Sequence, residues 1–445
     1  MNVKQKISKL PQLVKRLLTL LVVLVMSVLL TTVRHNDSAY LTGVWDLSSQ
    51  ALVYGRMLQM QYHQHWPGGF MGVYAPEEEE GYDRQQFLDN QPVTEGDYRV
   101  YAHQTGLQGW GFGILNKVYS LRWPGGLDRE VMLYKTNCTL FYAVELLICL
   151  FLWRKFGLLP AAAWLLSIVF GPWPQRGMKN LYWCLWTWVL PLLASLWLCR
   201  RARRCGRVPV GNYLLVAAAC LVRCMCGFEF ITTFLILCEI PLCYEIFTAL
   251  CCQKDRSAAM IWLRRTVYTG LAALGGVAAA LGIWFVQMTL CFGGVQRALE
   301  EMLFTVSVRV TLTDSNVRSE TVPQVLHYYF VENGEPVVQI GSFSLSILPL
   351  LAVTAVLFVL CGGVLAVRHQ SPARLVPLLV VWVLSIAAPA SWMVLSRAHS
   401  IVHKHLVPML WHFAPVPVSC MLLLVLAKMT VTALWRRRPD LVASH

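Results

Sequence analysis

Two aspartates, Asp37 and Asp46, open the first long polar segment of the chain, in RHNDSAYLTGVWDLSSQALVYGRMLQM. A carboxylate at the start of a helix has two uses. It can cap the helix by accepting backbone N–H bonds, or it can act as a general base toward a hydroxyl brought within reach. Asp46 stands where 45–60 begins to read as an amphipathic helix, with Leu47, Ala51, Tyr54 and Leu58 recurring near the helical period. Tyr54-Gly-Arg-Met and Met60 suit a helix lying in a membrane interface. Further on, GDYRVYAHQTGLQGWGFGIL (96–115) mixes Asp97, His103, Gln104 and Gln108 with Tyr98, Tyr101 and Trp110. A few polar groups among aromatics make a sugar or lipid-headgroup pocket. A loop anchored by interfacial aromatics has the same composition.

Cations supply the complementary chemistry. PWPQRGMKNLYWCLW places Arg176, Lys179 and Asn180 on the outer side, and RCMCGFEF places Arg223 and Glu229 there. In SRAHSIVHKHLVPMLWHF (396–413), a helix over 397–405 would set Arg397, Ser400 and Lys404 on one face and His399 and His403 on the opposite one. The Arg–Ser–Lys stripe suits phosphate through charge-assisted hydrogen bonds. The two histidines have metal-ligand spacing with no acid beside them, so a divalent metal is a secondary expectation and no metal ligand is assigned. Glu77–Glu80 reads as a solvated acidic loop. Glu145, Glu239 and Glu245 fall inside apolar stretches, where carboxylates face the bundle interior or water; proton relay and protonated, hydrogen-bonded acids both fit.

The elements that must position these groups are set by composition. Of 445 residues 56% are hydrophobic and 14% charged, far below the roughly 25% charged content of soluble domains. Ten apolar stretches approach the roughly 20 residues that cross about 30 Å of hydrocarbon: 17–33, 136–153, 157–171, 181–199, 209–222, 229–251, 267–291, 343–366, 375–395 and 407–433. The expectation is an all-α polytopic membrane protein of about ten transmembrane helices, with a large mixed extracytoplasmic loop after the first. Its units are 1–33, the N-terminus and first helix; the loop 34–135 with interfacial helices; helices two to seven over 136–291; a second loop at 292–342; and 343–445, the last three helices with a basic tail.

The net charge of +14 is distributed as topology demands. Arg154–Lys155, the arginines of 200–207, Lys254 to Arg265, Arg368 with Arg374, and Arg436–Arg438 make every even-numbered connection basic. By the positive-inside rule both termini are then cytoplasmic, and nucleic acid is excluded as the reason for the charge. The fifteen cysteines avoid 34–135 and show no zinc spacing. Outer loops without disulfide staples suit a bacterial cytoplasmic membrane. Asn137-Cys138-Thr139 matches a glycosylation sequon but falls at a helix mouth. Walker loops, HExxH, GxSxG and an internal repeat are all missing, so neither nucleotide chemistry nor an inverted-repeat transporter is indicated.

An uncleaved first helix, a long outer loop with an acid and interfacial helices, and polar groups at the outer rim resemble the glycosyltransferase C superfamily. WDLSSQALVYGRML is similar to the acid-plus-helix element after the first span of protein mannosyltransferases and aminoarabinose transferases. YAHQTGLQG (101–109) is similar to their second-loop Tyr…Pro-Leu element, with Gly106-Leu107 in place of Pro-Leu, and Asp46 is followed by Leu47 where many members have an Asp-Glu pair. KNLYWCLWTWVLPLL, RCMCGFEFITT and RAHSIVHKHL resemble more closely a group of polytopic membrane proteins of Gram-positive bacteria, a likeness that implies architecture and no activity.

The superfamily resemblance implies transfer of a sugar from a polyprenyl-phosphate donor to an extracytoplasmic acceptor. Asp46, Asp37 or Asp97 would be the base. Arg397, Ser400, Lys404, His399, His403, His103, Gln104, Gln108, Lys179, Asn180 and Glu229 would serve the lipid phosphate and substrate. Membrane lipid and the lipid-linked sugar are the implied partners. A proton-coupled transporter or lipid flippase built on the intramembrane glutamates is the rival reading, and a non-catalytic envelope-assembly protein is a third.

Overall fold

The computed structural model describes residues 11–34, 46–63, 68–74, 81–311, 321–402, 404 and 407–435. Asp37, His403, Glu77–Glu80 and the side chain of His399 lie outside the described residues.

The chain is a helical bundle carrying two small antiparallel hairpin-like pairs. Its helices are α1 (Gln12–Arg34), α2 (Leu47–Tyr62), α3 (Tyr82–Leu88), α4 (Leu107–Ser120), α5 (Gly126–Phe156), α6 (Leu158–Val169), α7 (Pro172–Gly177), α8 (Trp186–Cys205) and α9 (Val210–Met225). They continue with α10 (Ile231–Phe247), α11 (Arg256–Phe292), α12 (Val295–Thr311), α13 (Val322–His327), α14 (Ile347–Val367), α15 (Val376–Leu395), α16 (Arg397–Val402) and α17 (Pro415–Trp435). Strand β1 (Met71–Val73) pairs with β2 (Arg99–Tyr101), and β3 (Val338–Ile340) with β4 (Phe343–Leu345).

Each of the ten expected stretches is helical over most of its length, but among the described residues seven helices are long and apolar enough to cross a membrane. These are α1, α5, α10 with its π-helical extension to Gln253, α11, and three that include α14, α15 and α17. The stretch 157–171 yields the 12-residue α6, about 18 Å at 1.5 Å per residue, and 209–222 yields the 16-residue α9, about 24 Å. Neither spans about 30 Å alone. The stretch 181–199 is shifted: α8 starts at Trp186 and runs on into Arg200, Arg201, Arg203 and Arg204. The reason is local, because 181–185 is committed to a turn held by Asn180.

Lipid-facing surface is plain on α1, which leaves Leu17, Leu20, Leu21 and Leu24 more than half exposed. The interior forms two apolar cores. Trp188 and Leu192 of α8 and Leu237 and Ile240 of α10 face the larger one, shared with α2, α5, α6, α14, α15 and α17. Leu198 of α8 and Phe234 and Cys238 of α10 face the second, against α9 and α11. These two helices form the wall between the halves. Pro191, Pro241 and Pro389 sit inside α8, α10 and α15, which is tolerated where neighbouring helices satisfy the freed backbone groups.

Contacts define two ends. At one, Trp183, Phe230, Trp188, Phe413 and Trp392 stack on one another. At the other, Lys155 and Arg203 meet Glu245, and Arg265 donates to the Gly206 carbonyl. Arg16 lies within electrostatic reach of Arg200, and Arg368 donates to the Leu434 carbonyl, so α1 begins and α17 ends among basic residues.

Candidate functional site

Asp46 is the N-cap of α2. Its side chain accepts from the Ser49 N–H at 3.4 Å and from the Ser48 hydroxyl at 3.2 Å on one oxygen. The other oxygen accepts from Trp183 Nε1 at 2.8 Å. Its backbone is left-handed at φ 57°, a conformation Asp tolerates better than most residues, and Asn180 Nδ2 donates to its carbonyl at 3.3 Å. Cap and tertiary anchor thus fix one half-buried carboxylate at the mouth of the bundle.

The anchor comes from the connection between α7 and α8. Asn180 Oδ1 accepts from the N–H groups of Tyr182 and Trp183, and its carbonyl accepts from Asn137. Asn137 is buried and donates also to the Met178 carbonyl, so the sequon residue is a structural amide. Lys179, the next residue back, is half-buried; burial lowers its pKa, as does Arg176 nearby, against an opposing effect of Cys138.

Val53 to Met60 of helix α2 are all buried, so the helix is covered by the rest of the chain. Gly55 explains how: a Cβ there would stand 2.1 Å from the Gly72 carbonyl oxygen, so only glycine lets β1 come this close. Arg56 is buried with its guanidinium 4.2 Å from the Trp110 ring, and burial lowers its pKa, partly offset by Tyr98. On the face toward α5, Tyr54 donates to Glu130, which also takes a two-pronged bond from Arg84 at 2.7 and 2.8 Å. Gln50 Nε2 donates to the Tyr134 hydroxyl, and Gln50 Oε1 accepts from the Leu181 N–H. Sequence reading missed Gln50, Arg84, Glu130 and Tyr134. A polar residue every fourth position in Asp46, Gln50 and Tyr54 was the available signal.

A second polar group gathers beside the aromatic stack. Gln108 Nε2 donates to the carbonyls of Tyr182 and Cys226. Arg223 is buried, lies 4.8 Å from the Trp188 ring and donates to the Glu229 carbonyl. Gly227, at φ 146°, leaves the space into which Glu229 Oε2 and Gln104 Oε1 point; a Cβ there would lie 2.4 and 2.7 Å from them. Gln104 is buried, and its amide has no hydrogen-bond partner among the described residues. A path of rings, Trp183 to Trp188 at 5.9 Å, joins this group to Asp46. The structure therefore brings together Asp46, Asn180, Gln104, Gln108 and Glu229, with Lys179 alongside.

The remaining candidates are placed elsewhere. Asp97 is exposed in a short turn before β2. His103 Nδ1 is 2.9 Å from the Thr305 hydroxyl of α12, edge-on to Tyr101. The expected stripe over 397–405 does not form as one helical face. Helix α16 ends at Val402, Ser400 is buried with its carbonyl taking the Tyr329 hydroxyl, and Lys404 lies beyond the helix, 4.6 Å from the Tyr328 ring. The intramembrane acids also separate: Glu145 accepts from Trp164 Nε1, Glu245 pairs with two cations, and Glu239 is partnerless among the described residues. No cluster of metal-ligating side chains occurs among the described residues.

No family model and no curated protein matches the chain. Among solved structures it is similar to the oligosaccharyltransferase of Archaeoglobus fulgidus in the apo form, at 12% identity and a TM-score of 0.45 over 91% of this chain and 50% of that one. It is also similar to the same organism's enzyme in complex with an inhibitory peptide and a dolichol-phosphate, at 13% identity and a TM-score of 0.47 over 94% of this chain and 52% of that one. The chain spans about half the length of these structures.

Proposed function

We propose that the protein is a membrane glycosyltransferase that moves a sugar from a polyprenyl-phosphate donor to an acceptor hydroxyl or amide at the Asp46 end of the bundle. The observation that carries this reading is the carboxylate of Asp46, held from opposite sides by the α2 cap and by Trp183. A base must be held within hydrogen-bond reach of its proton, and about 1 Å of error costs about a hundredfold. In the proposed step Asp46 takes the acceptor proton as the acceptor attacks the anomeric carbon, and the sugar–phosphate bond breaks. Lys179 and Arg176 stabilise the departing phosphate, an electrostatic contribution. Gln104, Gln108 and Glu229 serve the sugar hydroxyls.

Asp46→Asn tests the reading. Asn retains cap capacity, so the variant should fold, while transfer from a lipid-linked sugar should drop by about a hundredfold or more. Undiminished transfer would remove Asp46 from the mechanism. A second reading, a proton-coupled transporter, is favoured by Glu239, whose buried carboxylate has no partner among the described residues of a span. Loss of proton flux in Glu239→Gln with normal sugar transfer absent in the wild type would select it.

A further inference from the structure

A cavity opens between α5, α6, α8, α10, α15 and α17. Its walls are apolar, among them Phe151, Leu196, Leu237, Ile240 and Met421. Its charged lining is confined to Lys155, Arg203 and Glu245. Lys155 Nζ and Arg203 Nη1 both bind the same oxygen, Glu245 Oε1, at 3.0 and 2.5 Å. Two cations on one carboxylate leave one positive charge over. Glu245 is covered, at 9% exposure, while the Lys155 and Arg203 side chains keep 30% and 37%. The two cations therefore stay partly exposed while lining the same apolar space.

We infer that this cavity is a binding site for an anionic phospholipid of the surrounding bilayer, one acyl chain in the apolar space and the phosphate on Lys155 and Arg203. The charge left over matches a single phosphodiester, and the polar end and apolar interior match the two ends of such a lipid. The site is separate from the Asp46 centre. Along α5, Glu130 belongs to the Asp46 network and Lys155 to the cavity. The 25 residues between them rise about 38 Å, a membrane's thickness, so a donor with its sugar at Asp46 has its phosphate far from here.

Purified full-length protein, stripped of lipid and titrated with phosphatidylglycerol or chain-matched phosphatidylcholine under native mass spectrometry, tests this. Phosphatidylglycerol should bind more tightly, and Lys155→Gln with Arg203→Gln should weaken it by about tenfold or more, since each cation near an anionic headgroup contributes several-fold. Leu196→Trp, which fills the cavity without altering charge, should reduce binding of both lipids. Glu245→Gln removes the competing carboxylate and should tighten phosphatidylglycerol binding, a gain that a misfolded variant does not produce. Equal affinity for the two lipids in the wild type, unchanged binding in the double variant or in Leu196→Trp, or weaker binding in Glu245→Gln would overturn the inference. So would displacement of phosphatidylglycerol by substoichiometric undecaprenyl phosphate, which would assign the cavity to an isoprenoid phosphate.

Discussion

Asp46 combines two properties that usually exclude each other, half exposure and full positioning. Its cap bond to Ser49 is local, whereas the Trp183 bond crosses 137 residues. Trp183→Phe keeps the ring stack and deletes the donor, so it should reduce transfer by about tenfold while leaving the thermal midpoint near wild type, the signature of lost positioning rather than lost packing; a steady-state assay beside a melting curve separates the two. Lys179 sets a pH dependence. Burial disfavours its charged form, so its folded pKa lies below the unfolded value. The cost to stability is present below the folded pKa and fades as pH rises through it. If the ammonium holds the donor phosphate, donor affinity should decline at a pH below the ordinary lysine range. Lys179→Arg, which stays charged, should move that decline upward in a binding titration.

At the scale of elements, the site depends on α2 being clamped to α5. Glu130 is fully buried and joins Tyr54 of α2, Arg84 of α3 and its own helix. Burial pushes the Tyr54 phenol pKa well above its ordinary range, so Tyr54 remains a donor at any physiological pH. Glu130→Gln leaves the Arg84 guanidinium without its counter-charge. Removing one partner of a buried pair costs about 3–5 kcal/mol, and Arg84's partial exposure reduces this to about 2–3 kcal/mol. The expected outcome is a lower melting temperature together with weakened transfer, because Asp46 rides on the N-terminus of the same helix. Full activity in that variant would separate α2 from the site.

For the whole molecule, the two ends of the bundle differ in chemistry: aromatic rings and amides at one, paired cations at the other. By the positive-inside rule this polarity predicts a topology. Epitopes inserted after Arg207 and after Asn333 should report opposite sides of the membrane, with Arg207 on the cytoplasmic side. Both tags on one side in a protease-protection assay would break the arrangement of spans.

Hydropathy alone determined the helical, membrane-spanning character, because about 30 Å of hydrocarbon imposes a minimum apolar length that any sequence must display. Asp46 as a cap was also legible, since a cap needs only the next three residues. The sequence also shows 157–171 and 209–222 as short stretches, and they fold as the 12-residue α6 and the 16-residue α9. The stripe of Arg397, Ser400 and Lys404 followed from an ideal helical period, whereas in the structure α16 runs over Arg397–Val402, the Ser400 carbonyl takes the Tyr329 hydroxyl and Lys404 lies over the Tyr328 ring. The Glu130 network and the meeting of Gln104 with Glu229 lay beyond sequence reading altogether. The residues that meet stand 46 to 125 positions apart, and only tertiary packing brings them together.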